Sequence, residues 1–171
     1  ALLGPNDLVV ADILSHSSIV DGMKLAAGAT RFFRHNDPEF LRKILKRHRY
    51  NYAGCLVVVE AVFSMDGDVA PLTEIWKIAK EYGCRVLIDE AHSYGVLGQS
   101  GLGLVEEAGL LGEMDVVMGT FSKTCGGIGG FLCGSQEVVD WFKIAARSAF
   151  FSVSLARLHP GMKSGEIFNQ N

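Results

Sequence analysis

The 171 residues carry 16 Lys and Arg against 19 Asp and Glu, a net charge of −3 that gives no electrostatic footprint for a nucleic-acid backbone. At 49% hydrophobic and 20% charged residues the composition is that of a packed core, which excludes disorder. Its greasiest stretches are broken by Glu60, Asp66, Asp89 and Lys123, well short of the ~18 to 20 apolar residues of a bilayer span.

The first residue is Ala1 and no secretory leader pattern follows, so the chain reads as an excerpt of a longer one. Leu8-Val9-Val10, ending at Asp12, is the first strand-like run. Ser15 to Ala27 places Ile19, Val20, Met23 and Ala27 on one helical face and stops at Gly28; Ala29 to Phe33 is again strand-like. Asp37 before Pro38 signals a helix start, and Phe40, Leu41, Ile44, Leu45 and His48 then recur along one face. The remaining Arg42, Lys43, Lys46, Arg47 and Arg49 form a basic cluster, read as a solvated helix face, with an anion site as the minority reading. The unit repeats as Cys55 to Val59, a helix from Pro71 to Tyr82 closed by Gly83, and Cys84 to Ile88. Asp115 to Met118 and Ile128 to Cys133 add strand candidates, and Ser135 with Glu137 opens a last helix through Trp141, Phe142 and Ala145. This alternation predicts an α/β fold with a mostly parallel open sheet and helices on both faces, one domain over 1–155, and an irregular tail over 156–171. The cysteines at 55, 84, 125 and 133 match neither a zinc ribbon nor a disulfide framework and read as reduced thiols of a cytoplasmic protein.

Ligands of open α/β sheets bind beyond the carboxyl ends of the strands, so polar residues directly after apolar runs carry the functional weight. Four places qualify: His16, the stretch Glu60 to Asp68, Asp89-Glu90-Ala91-His92, and Gly119-Thr120-Phe121-Ser122-Lys123. Asp89 to His92 also spells the acidic box of a group of RNA helicases. That reading fails because no phosphate-cradling loop precedes it: 119–124 has Ser where Gly must stand before Lys, and it follows the box. Gly126 to Gly130 precedes a strand-like run instead of opening a helix, against a dinucleotide site, and no second cluster completes a metal site with Asp89, Glu90 and His92. A lysine and a buried aspartate on neighbouring strand ends are the minimum for pyridoxal phosphate chemistry, the carboxylate keeping a pyridine nitrogen protonated and the amine holding an aldehyde. The bland alternative for Lys123 is a surface lysine.

The ordered series Ser15 to Gly22, Arg34-His35-Asn36-Asp37, Glu60 to Asp68, Asp89 to Gly95 and Gly119 to Lys123 resembles the motifs of the α-oxoamine synthases, pyridoxal-phosphate acyltransferases of fold type I. The resemblance implies that Lys123 binds the cofactor aldehyde and later moves the substrate α-proton, that Asp89 pairs with the pyridine nitrogen, that His92 hydrogen-bonds the ring's phenolic oxygen and that His16 stacks on the ring. It further implies Ser64 near the phenolic oxygen or substrate carboxylate and Thr120 near the phosphate. Ser152 and Ser154 would reach a neighbouring subunit's phosphate. An amino acid and an acyl-CoA would condense, usually with loss of carbon dioxide, to an α-amino ketone, in a homodimer with no nucleic-acid partner and no membrane span. The family's preceding Gly-rich segment and following small domain have no counterpart here, and Ala156-Arg157 and Leu102 depart from its pattern. Those gaps leave open a second reading, a truncated non-catalytic homologue serving as a structural or regulatory partner.

Overall fold

The computed structural model describes residues 2–146. Among them six strands, β1 (Asp7–Asp12), β2 (Ala29–Phe33), β3 (Gly54–Glu60), β4 (Arg85–Asp89), β5 (Val116–Thr120) and β6 (Gly130–Gly134), form one sheet in the order β2-β1-β3-β4-β5-β6. All neighbours run parallel except β5 and β6, which pair antiparallel. Five helices accompany them: α1 (Ser17–Leu25), α2 (Pro38–His48), α3 (Leu72–Glu81), α4 (Leu104–Glu107) and α5 (Gln136–Ala145). No helix of the described residues is long and apolar enough to cross a membrane.

From β1 the chain steps outward to β2, then returns across β1 to continue through β3, β4 and β5. Right-handed crossovers put helices made before and after such a reversal on opposite faces. The core divides accordingly. On one face Leu8, Val10, Val57, Val59, Val86 and Ile88 pack with Leu41 and Leu45 of α2 and with Ile75, Ile78 and Ala79 of α3. On the other, Val9, Ala11, Leu56 and Val58 pack with Met23 of α1 in a much smaller cluster. The expected parallel sheet with helices on both faces is therefore present, with unequal cover.

Local signals set the element ends. The Asp37 carboxylate accepts from Phe40 N at 2.8 Å with Pro38 in the first turn, and Lys46, Arg47 and His48 complement the dipole at the other end of α2. The basic cluster is only partly a solvated face. Arg42 pairs with Glu39 and Glu81, while Arg49 donates to the carbonyls of Tyr82, Tyr52 and Gly83 and ties the end of α2 to the end of α3. Two features differ from the sequence expectation. β5 runs on through Gly119 and Thr120, because those residues pair with Phe131 and Gly130 of β6, and a short helix, α4, stands where none was expected. The segment 156–171, with Ser152 and Ser154, lies outside the described residues.

Candidate active site

The strand order reverses beside β1 and β3, and the crevice outside the carboxyl ends of the parallel strands begins there. β1, β3 and β4 end in Asp12, Glu60 and Asp89, and register sets Glu60 beside Asp89 and Asp89 beside Met118 of β5. His16 caps α1: its Nδ1 accepts from Ser18 N at 3.3 Å and lies 2.8 Å from Ser18 Oγ. Nδ1 is thus an acceptor, and the neutral ring carries its proton on Nε2. The backbone N–H of His16 donates to the Glu60 carboxylate, fastening the turn after β1 to the end of β3.

Asp89 is 7% exposed, and its Oδ1 accepts from Ala91 N at 2.8 Å, which bends the chain sharply into His92. Burial holds the His92 pKa below its ordinary value; the Lys123 charge adds to that push, Asp89 opposes it, and His16 adds a further small push. The charges of Lys123, Asp89 and His16, three of the six expected site residues, thus all reach the ring of a fourth, His92. Packing agrees: Gly95, at φ +80°, leaves room for Thr124, whose Cγ2 lies 2.5 Å from where a Cβ on residue 95 would stand, so the loop after β4 rests on the loop carrying Lys123.

Lys123 is exposed in the loop joining β5 to β6, which is stitched by Phe121 N to Gly129 O at 2.9 Å, Gly127 N to Phe121 O at 2.7 Å and Gly126 N to Lys123 O at 3.0 Å. The Thr120 hydroxyl donates to Gly129 O at 3.0 Å and accepts from Ser122 N at 3.2 Å, so in this structure it serves the loop. Ser64 is exposed on the loop after β3, a hairpin closed by the Val62 and Val69 bridge. No hydrogen bond among the described residues links Ser64 to the other five.

The rim holds four buried carboxyl groups, Asp12, Glu60, Asp89 and Glu90. Asp12 is bridged by His35 at 3.0 Å. Burial pushes Glu60 upward, against the His16 N–H that favours its ionised form, and burial likewise pushes Glu90 upward, against donors from Ser93, Val105 and Leu104. Among the described residues Asp89, like Glu60 and Glu90, is reached by no ion pair, and its hydrogen bond from Ala91 engages one oxygen of a group that can accept several. A buried carboxylate without a cation, ending the strand next to the one whose following loop carries a lysine, fits a cofactor that would bring a protonated ring nitrogen and an aldehyde. Glu60 and Asp12 received no role in the sequence reading; each was visible only as a carboxylate ending an apolar run.

Sheet order, antiparallel edge strand and this rim define the large domain of a fold type I pyridoxal-phosphate transferase. The chain belongs to the aminotransferase class I and II family, whose model matches residues 1–170. Curated relatives include 8-amino-7-oxononanoate synthase of Treponema denticola, 44% identical over 155 residues that cover 91% of this chain and 39% of that protein. The enzyme of the same name from Coprothermobacter proteolyticus is 41% identical over 173 residues, covering 100% of this chain and 44% of its own. Serine palmitoyltransferase of Sphingomonas wittichii superposes with a TM-score of 0.82 at 42% identity, over 86% of this chain and 37% of that one. A serine palmitoyltransferase solved with pyridoxal phosphate gives 0.85 at 43%, over 90% and 38%. These relatives bear out the α-oxoamine synthase resemblance, and the chain spans about two fifths of the length of those it matches.

Proposed function

We propose that the intact protein is a pyridoxal-phosphate-dependent acyltransferase that joins a small amino acid to an acyl-CoA thioester, giving an α-amino ketone. The placing of Asp89 and His92 after β4 against the loop after β5 that carries Lys123, with the charges of Lys123, Asp89 and His16 all reaching His92, is the observation that supports it most. When bound, the cofactor supplies an electron-poor ring able to accept the electron pair released at the substrate α-carbon. Asp89 accepts the hydrogen of the ring nitrogen and, being buried, keeps that charge from leaking to water. Lys123 would hold the cofactor's carbonyl carbon, and its Nζ would carry the substrate α-proton. His92 donates to the phenolic oxygen, its depressed pKa leaving a neutral ring with one N–H for the purpose. His16, whose Nδ1 accepts from Ser18 N, would stack on the cofactor ring. Thr120 contributes to the phosphate site and Ser64 to the substrate side. The names of the relatives, which act in forming oxononanoate and in palmitoyl transfer to serine, support an acyl donor and a small amino acid. Exposed Ile13, Leu14, Leu25 and Met65 support cover by the rest of the protein or a second copy, consistent with a homodimer. Free cysteines, Cys125 among them exposed, support a cytoplasmic site of action.

The test is direct. Pyridoxal phosphate added to the intact protein gives a visible absorption band, borohydride removes it and fixes the cofactor on the peptide containing Lys123, and the loaded protein releases CoA only when glycine, serine or alanine and an acyl-CoA are both present. Cofactor trapped on another lysine, or CoA release unchanged by Lys123→Ala, refutes the assignment.

A further inference from the structure

The motif Arg34-His35-Asn36-Asp37 belongs to the sequence signature, yet the chemistry above gives His35 no part. We propose that His35 is a positioning residue of this site: it clasps Asp12 and Asp68 from opposite ring nitrogens and so fixes the turn that carries His16 to the loop that carries Ser64. Nδ1 lies 3.0 Å from Asp12 Oδ1 and Nε2 lies 2.7 Å from Asp68 Oδ2. A neutral imidazole has one N–H, so a ring donating to two carboxylates is the charged form. Burial alone would lower the His35 pKa, but hydrogen bonds to Asp68 and Asp12 and their charges outweigh it and hold it above its ordinary value. The charged groups facing the ring are Asp12 from β1 and Asp66 and Asp68 from the loop after β3. The Phe63 ring packs edge-on against the imidazole at 4.5 Å.

Both ends of the clasp lead to the site. Asp12, fully buried, also accepts from Leu14 N at 2.9 Å, two residues before His16, and from Asn36 N at 2.9 Å. Asp68 also takes Asn36 Nδ2 at 2.9 Å, and Phe63 N donates to Asp68 O at 3.0 Å, beside Ser64. Asn36 sits at φ +49°, a left-handed conformation that asparagine tolerates and that brings its N–H and side-chain amide to the two carboxylates at once. Three connections, after β1, β2 and β3, are thereby locked as one body beside the point where the strand order reverses.

The importance of His35 to turnover rests on the function proposed above; its grip on the two loops does not. His35→Gln in the intact, cofactor-free protein is expected to raise amide hydrogen exchange in both segments 13–16 and 62–69, while strands β3 and β4 keep their protection. Asp68→Asn removes only the outer arm and is expected to loosen 62–69 alone, which keeps the test open if the Gln variant folds poorly. In the loaded enzyme, His35→Gln should lower kcat about ten-fold or more, with KM for the amino acid moving less than about three-fold, and change the circular dichroism of the bound cofactor, because small misplacements of reacting groups are felt mainly in the chemical step. Arg34→Ala, whose guanidinium stacks on Phe40 at 4.8 Å away from the clasp, should leave both readouts as they are. Unchanged exchange in both segments overturns the clasp, and changed exchange with kcat within two-fold overturns its role at the site. A wild-type protein that binds no cofactor instead refutes the proposed function, with the exchange result still deciding the clasp.

Discussion

Gly103→Ala tests how the loop bearing His92 is held. Gly103 adopts φ +94°, ψ −165°, a region that side chains other than glycine's scarcely enter, and forcing alanine there costs about 1–3 kcal/mol. The new Cβ would also stand 2.4 Å from Glu90 Oε2 and 2.6 Å from its carboxyl carbon. A flexible side chain would swing aside, but Glu90 is fully buried and accepts from Leu104 N at 2.9 Å, Val105 N at 2.8 Å and the Ser93 hydroxyl. Moving it breaks at least one charge-assisted hydrogen bond, about 1.5–3 kcal/mol. The sum, about 2.5–6 kcal/mol, is a large share of a domain's stability of about 5–15 kcal/mol. Urea unfolding followed by circular dichroism measures it. A double-mutant cycle with Glu90→Ala separates the parts: with the carboxylate gone, Gly103→Ala should retain only the backbone cost. A loss below about 1 kcal/mol for Gly103→Ala alone, or full additivity with Glu90→Ala, would show that the contact at residue 90 does not govern this loop.

Ile75, fully buried between α3 and the sheet, should lose about 2–5 kcal/mol of unfolding free energy on Ile75→Ala, read by the same titration. Because His92 is held below its ordinary pKa, its contribution to stability is complete above about pH 6.5 and fades as pH falls through the depressed value. Lys123→Ala removes one of the charges that depress it, so the His92 ring of the cofactor-free protein should titrate at higher pH by NMR; an unchanged titration would mean the two do not share a space. His35 has the opposite sign: its contribution is complete below about pH 6.5 and is lost as pH rises through the raised value, so wild type should lose more unfolding free energy than His35→Gln between pH 6 and pH 9.

Much of this architecture is written locally. The run Leu8 to Val10, the Asp37-Pro38 helix start and the buried strand ending at Asp89 are each specified by residues within a few positions of one another, and the structure sets β2 at the residues the sequence indicated. Elements made by distant partners were silent. α4 is four residues long, too short for a helical period, and its first N–H groups are satisfied by Glu90, fourteen residues earlier. Glycine at 119 has low strand propensity, yet β5 extends through it because Phe131 covers it from β6. The antiparallel sense of β6 had an unread signal: the nine residues 119–127 between the two expected strands are too few for a parallel crossover of a dozen or more. At the rim, His16, Asp89, His92 and Lys123 stood out because each follows an apolar run, whereas the pairings His35 with Asp68 and His16 with Glu60 join residues 33 and 44 positions apart and leave no trace in spacing.

The hairpin between β5 and β6 has a dynamic consequence. Lys123 lies in the connection between two strands of the same sheet, and main-chain bonds across the base of that connection restrain its backbone. With that base held, the quickest excursion open to its amine is the swing of four methylenes, a rotamer hop on the picosecond-to-nanosecond scale, faster than a loop rearrangement. A shorter amine at this position would sweep a smaller arc from the same backbone.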